Sequence, residues 1–122
     1  RIVNLSSGVA TRAVPGMGDY GTSKAALRMA GMTLAAELTS PDRPGGPRGR
    51  AAVLSYEPGV VDTEMQVRAR SAPREEAPWN QMFVDFHAKG ALQPAVAVVS
   101  DVTGFLAGNT REPFTEKRFS AR

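Results

Sequence analysis

Tyr20 and Lys24 stand four residues apart in Tyr-Gly-Thr-Ser-Lys. On a helix that spacing puts both side chains on one face, close enough to interact. A free phenol, with a pKa of about 10, is a poor base near neutrality. An ammonium held beside a phenol favours the phenolate, so the pair can serve as a tunable general acid–base. Tyr-x-x-x-Lys is a common pattern by itself, and what gives it meaning is the set of elements that would hold it.

Residues 2–6 read as a short strand, broken by Ser6-Ser7-Gly8. A Pro/Gly-containing loop over 8–18 leads to a helix over 20–38, with Leu27, Ala30, Gly31, Leu34 and Leu38 on one face and Pro41 ending it. Its run of alanines is good helix-forming sequence, but Gly31 weakens a helix and requires a packing reason. Residues 41–50, with three prolines and three glycines, form an exposed loop. Residues 51–56 are a second strand, turned by Pro58-Gly59. A short helix over 64–70 and a polar stretch over 71–78 follow. Trp79, Met82, Phe83 and Phe86 then give an amphipathic helix closed by Gly90. Pro94 suits a first helical position, Val98, Val99, Val102, Phe105 and Leu106 form a further apolar stripe, and residues 114–119 make a last weak strand. The order β-α-β-α-α-β predicts an α/β fold with parallel strands joined through helices. Ser7 falls at the carboxyl end of the first strand and Pro58 to Thr63 just past the second. Ligands of open α/β sheets lie at that edge.

Composition bounds the alternatives. The chain has 122 residues, 42% hydrophobic and 22% charged, a globular balance. It lacks cysteine and has one histidine, His87, which excludes disulfide frameworks, thiol nucleophiles and metal sites that need two imidazoles. Twelve arginines against three lysines leave a net charge of +3, spread along the chain, so nucleic acid is not the expected partner. No apolar run approaches the ~20 residues of a membrane span, and the expectation is a cytoplasmic protein without a membrane partner. The chain opens inside what reads as a buried strand. One edge of that strand then has nothing to pair with, and the expectation is a C-terminal portion of a longer protein.

Gly16-Met-Gly-Asp-Tyr-Gly21 matches G-x-G-x-x-G but begins some ten residues after the first strand. The phosphate-binding form of that motif starts directly at the strand end. A glycine-rich loop before a helix is the better account. His87 reads as a residue favoured near a helix C-terminus, Glu75-Glu76 as a solvated pair, and Arg12, Arg68, Arg70 and Arg74 as surface arginines. Ser7 is not within Gly-x-Ser-x-Gly, which argues against a Ser-His-Asp hydrolase.

Three motifs now stand in order: Arg1-Ile-Val-Asn-Leu-Ser-Ser-Gly, Tyr20-Gly-Thr-Ser-Lys24-Ala-Ala and Pro58-Gly-Val-Val-Asp-Thr63. Together they resemble the C-terminal half of a short-chain dehydrogenase/reductase over residues 1–108. The resemblance implies the C-terminal part of a Rossmann-type, doubly wound parallel sheet, with residues 1–122 as one partial NAD(P)-binding domain whose N-terminal nucleotide half lies outside the chain. It implies interconversion of a carbonyl and an alcohol on a small molecule. Ser7 would hydrogen-bond the reacting oxygen, Tyr20 would exchange its proton, and Lys24 would assist the tyrosine and hold the nicotinamide ribose. Pro58, Gly59, Val61 and Thr63 would position the nicotinamide of NADP, or of NAD; no metal is implied. Asp62-Thr-Glu-Met-Gln66 and Lys89-Gly-Ala-Leu92 look like sepiapterin reductase and bacterial benzil reductase-like members. That likeness would put Met65, Trp79, Met82 and Phe83 near the substrate, although such a stripe also suits a core. The tail has no match to the acidic residue that anchors the pterin in sepiapterin reductases. Family members associate as dimers or tetramers, commonly through the helix that bears the tyrosine. The 122-residue piece alone is expected to be inactive, and the alternative is a truncated, non-catalytic dimerisation module.

Overall fold

The computed structural model describes residues 1–120. Strand β1 (Ile2–Leu5) leads through a 3-10 turn at Gly8–Ala10 to helix α1 (Gly18–Thr39). Strand β2 (Val53–Glu57), helices α2 (Glu64–Ser71), α3 (Asn80–Ala88) and α4 (Ala95–Ala107), and strand β3 (Phe114–Arg118) follow. The strands form one parallel sheet in the order β1-β2-β3, with Val53 opposite Ile2 on one side and Phe114 on the other.

The α/β class and parallel pairing are as expected, and several details differ. Three helices, not two, separate β2 from β3. The expected loop over 8–18 contains the 3-10 turn, α1 starts two residues early, and β2 runs one residue further, through Glu57. Pro94 and Trp79 are caps preceding α4 and α3 and not helical positions. On α1 the buried positions are Gly31 and Ala35, while Ala30 faces outward.

Strand β2 is central and reads as a continuous run because both of its faces are covered. Val53, Leu54 and Tyr56 are at most 1% exposed. Val53 faces α1: a β-carbon on Gly31 would lie 3.4 Å from Val53 Cγ1, 3.5 Å from Phe114 Cε2 and 2.8 Å from Asn4 Nδ2. Gly31 is therefore the place where α1 sits down on all three strands, and this close approach is the packing reason for a glycine inside a helix. Tyr56 points to the other face, where its hydroxyl donates to Val98 O at 2.8 Å and Asp101 Oδ2 at 3.2 Å on α4. With helices on both faces the sheet is doubly wound.

Two polar links tie β3 in. Arg28 on α1 grips Glu116 with both prongs, at 2.5 and 2.8 Å, and hydrogen bonding from this guanidinium holds the Glu116 carboxyl below its usual range. Lys117 Nζ donates to Asp101 Oδ1 at 2.6 Å. The Tyr56–Asp101–Lys117 chain thus joins β2, α4 and β3. Burial first, and then the Asp101 charge, push the Tyr56 phenol up to about 12. A folded-state value above the unfolded one means stability that is complete below about pH 10 and lost as pH rises through 12. Denaturant titrations from pH 8 to 12 should therefore show an alkaline loss on the order of 2–3 kcal/mol. Tyr56→Phe should lower stability at neutral pH and abolish that slope. An unchanged slope in the variant would show that another group carries it.

Candidate active site

The carboxyl ends of β1 and β2 lie side by side, because Ser6 N donates to Tyr56 O at 2.7 Å. Ser7 follows directly, in extended backbone (φ −155°, ψ 156°), and caps the 3-10 turn. That turn packs on the first turns of α1: a β-carbon on Gly21 would lie 3.3 Å from Val9 O. The tight fit sets the Ser7 segment against the end of the helix that bears Tyr20.

Tyr20 is in the first turn of α1 and 39% exposed. Lys24, one turn on, donates from Nζ to the Leu5 carbonyl at 2.8 Å, and the same nitrogen stands 5.6 Å from the Tyr20 ring centroid. An ammonium that close to an aromatic face is attracted to it. An ammonium has three donors, so Lys24 keeps N–H groups to offer a ligand after anchoring to the strand end. Lys24 is thus tied to the carboxyl end of β1 two residues before Ser7, with Tyr20 one turn before it on α1.

The segment after β2 is held by a separate device. Gly59 is left-handed (φ +74°), and the backbone from Val60 to Asp62 pairs with Gln93, N to O at 2.8 Å in both directions. Thr63, in extended backbone, caps α2, and its hydroxyl donates to Val61 O at 3.4 Å. A β-carbon on Gly59 would meet nothing within 4 Å, so backbone is uncovered at this edge. That open backbone and the spare Lys24 donors fit the nicotinamide end of a dinucleotide. The Gly16–Gly21 run does not fit a pyrophosphate. Gly16 (φ +79°) is covered by Pro78 and Trp79, whose Nε1 donates to Gly16 O at 3.0 Å.

That same bond brings the start of α3 to the loop before α1 and puts Trp79 on the Tyr20 side of the molecule. Met82 and Phe83 are half-buried. Phe83 packs edge-on against Trp79 at 5.3 Å and Phe86 at 6.1 Å, an aromatic cluster along α3. Met65, on α2, is 65% exposed.

Three further residues have structural roles that no local sequence pattern marks. Asn80, 7% exposed, donates from Nδ2 to the carbonyls of Ala69, Arg70 and Ala72 and so closes the C-terminus of α2. Gln66 is 8% exposed with its Oε1 unpaired inside. Glu57 lies over Gly8 and pairs with Arg118 at 3.3 Å. An asparagine nine residues beyond the end of a short helix has no local signature, whereas Glu57, directly before Pro-Gly at a strand end, stands out in the sequence only as an acidic residue too far from Gly16 to complete a dinucleotide motif.

A family model described as short chain dehydrogenase matches residues 1–74. The chain belongs to that family. A benzil reductase ((S)-benzoin forming) of Bacillus cereus is 30% identical over 75% of this chain and 34% of its own length. The enzyme of that name from Bacillus subtilis is 28% identical over 89% and 42%. An uncharacterized oxidoreductase of Schizosaccharomyces pombe is 34% identical over 93% and 43%. The crystal structure of the KRED1-Pglu enzyme superposes with a TM-score of 0.71 at 28% identity, over 93% of this chain and 45% of that one. The chain therefore spans less than half the length of these relatives. Among the described residues, this short-chain dehydrogenase chain has no helix long and apolar enough to cross a membrane and no cluster of side chains suited to a metal ion.

Proposed function

We propose that this chain carries the proton-transfer half of an NAD(P)-dependent oxidoreductase that interconverts a carbonyl and an alcohol. The observation that carries the reading is the Tyr20–Lys24 pair tethered to Leu5, the last residue of β1, two residues before Ser7 in the chain. A bound nicotinamide would supply or accept the hydride. The Tyr20 hydroxyl gives a proton to the substrate oxygen in reduction and takes it back in oxidation. Ser7 Oγ donates a hydrogen bond to that oxygen. Lys24 holds its charge near the phenol and turns its remaining N–H groups toward the ribose. Pro58, Gly59, Val61 and Thr63 form the shelf for the nicotinamide and its carboxamide.

The substrate is a small carbonyl compound. The benzil reductases among the relatives favour a 1,2-diketone, and the Trp79–Phe83 cluster with Met82 offers an apolar wall for its aryl groups. Met65, exposed on α2, would join that wall. NADP is the first cofactor to try and NAD the second. A cytoplasmic homo-oligomer, dimer or tetramer, is part of the same reading, with the outward face of α1, where Met29 is 56% exposed, as the contact.

The complete protein should oxidise NADPH in the presence of benzil, read as loss of absorbance of the reduced cofactor. Ser7→Ala should lower kcat about a hundredfold, the effect of removing one donor to a developing oxyanion, with cofactor affinity retained. No turnover with any diketone, quinone or simple ketone, with either cofactor, would sink the reading.

A further inference from the structure

A cleft of about 580 Å³ opens at the opposite end of the sheet from Tyr20, where β1 and β2 begin. It is lined by Ile2, Leu38 and four arginines, Arg1, Arg43, Arg48 and Arg50, and by no acidic residue. The arrangement is built. Gly45 and Gly46 are both left-handed (φ +83° and +79°) and turn the Pro-rich loop back on itself. Arg43 Nη1 holds that turn by donating to Gly46 O at 3.1 Å, and Arg48 N donates to Leu38 O at 2.6 Å, which pins the loop to the end of α1. The Arg1 guanidinium is fixed in place by the carbonyls of Arg50, Gly108 and Thr110, at 2.9 to 3.2 Å. The guanidinium groups of Arg48 and Arg50 have no hydrogen-bond or ion-pair partner among the described residues.

Four like charges around one concavity repel one another, and a bound anion relieves that repulsion. Carbonyls take up part of the hydrogen-bonding capacity of Arg1 and Arg43 and orient them. Arg48 and Arg50 keep planar forks that match phosphate oxygens in pairs. The volume is that of a small-molecule site. A polymer would call for a charged stripe running on from the cleft, and the net charge of the whole chain is only +3.

We propose that this cleft binds a small phosphorylated compound, of the diphosphate or nucleotide class, at a site separate from the catalytic edge. The test is calorimetric titration of inorganic pyrophosphate into the complete protein at low ionic strength. NADPH is kept saturating, so that the phosphate site of the cofactor is already filled. The expected result is one further site that saturates below about 1 mM. Arg48→Ala/Arg50→Ala should weaken it at least about tenfold, and Arg48→Lys/Arg50→Lys, which keeps charge but loses the fork, should fall between. Both arginines are exposed, so the thermal midpoint should stay put, as should turnover at the distant active site. Binding is read as heat, so the result stands or falls independently of carbonyl reduction. No further site in the unmodified protein, or equal binding by the alanine variant, overturns the proposal. Displacement of pyrophosphate by an oligonucleotide at lower concentration than by ATP also overturns it, in favour of a polymeric partner.

Discussion

Tyr20→Phe is expected to lower kcat of the complete protein about a thousandfold. A positioned general acid–base contributes roughly 10²–10⁴, and a thousandfold is about 4 kcal/mol of barrier. The ring remains, so its contact with the Lys24 ammonium persists. At 39% exposure the lost oxygen leaves no buried void, and the thermal midpoint should not move. KM for the carbonyl and affinity for the cofactor should change little, because the proton is exchanged in the transition state and not on binding. Steady-state kinetics with a thermal scan checks all three. A variant with full kcat would remove Tyr20 from proton transfer. It would favour the non-catalytic dimerisation reading, in which association through α1 is all that matters and this hydroxyl is idle. A loss of kcat accompanied by an equal loss of stability would show a structural role instead.

The second large effect is expected at Asn80, far from any reacting atom. Its amide is the shared donor for three carbonyls at the end of α2, at 2.6 to 3.1 Å, in a place 7% exposed. Helix ends leave carbonyls without partners, and burying them unpaired is costly. Asn80→Ala should lower the opening free energy of α2 by about 3 kcal/mol. Amide exchange over Glu64–Ser71 should then speed up about a hundredfold, while exchange in β2 stays slow. Asn80→Asp should be worse than alanine, since a carboxylate would face three carbonyl oxygens. Exchange that is equally slow in all three proteins would show that α2 is held by other contacts. Because Asn80 follows Trp79 directly, the loosening should extend to the aromatic cluster along α3. In the oxidoreductase reading it should raise KM for a bulky diketone more than it lowers kcat.

The residues proposed for proton transfer could be singled out from the sequence because the patterns that mark them are local. Tyr20 and Lys24 need only one helical turn, and Ser7 needs only the end of a strand that announces itself by Ile-Val-Asn-Leu. The strands, the individual helical segments and the parallel pairing could likewise be read from short periodic patterns, although the expected order β-α-β-α-α-β counts one helix too few between β2 and β3. The tertiary structure decided what joins residues distant in the chain. It placed β2 between β1 and β3, and so gave Gly31 a contact with each strand. It laid Trp79 over Gly16, 63 residues away, and turned a nucleotide-like glycine run into a packing surface. It also set the Tyr56 hydroxyl against α4, 42 residues on, and used Asn80 to close α2. A side chain's period along its own element is written in its neighbours. What it meets across the core depends on how separate elements share buried area and satisfy buried polar groups, and no short stretch of sequence holds that information.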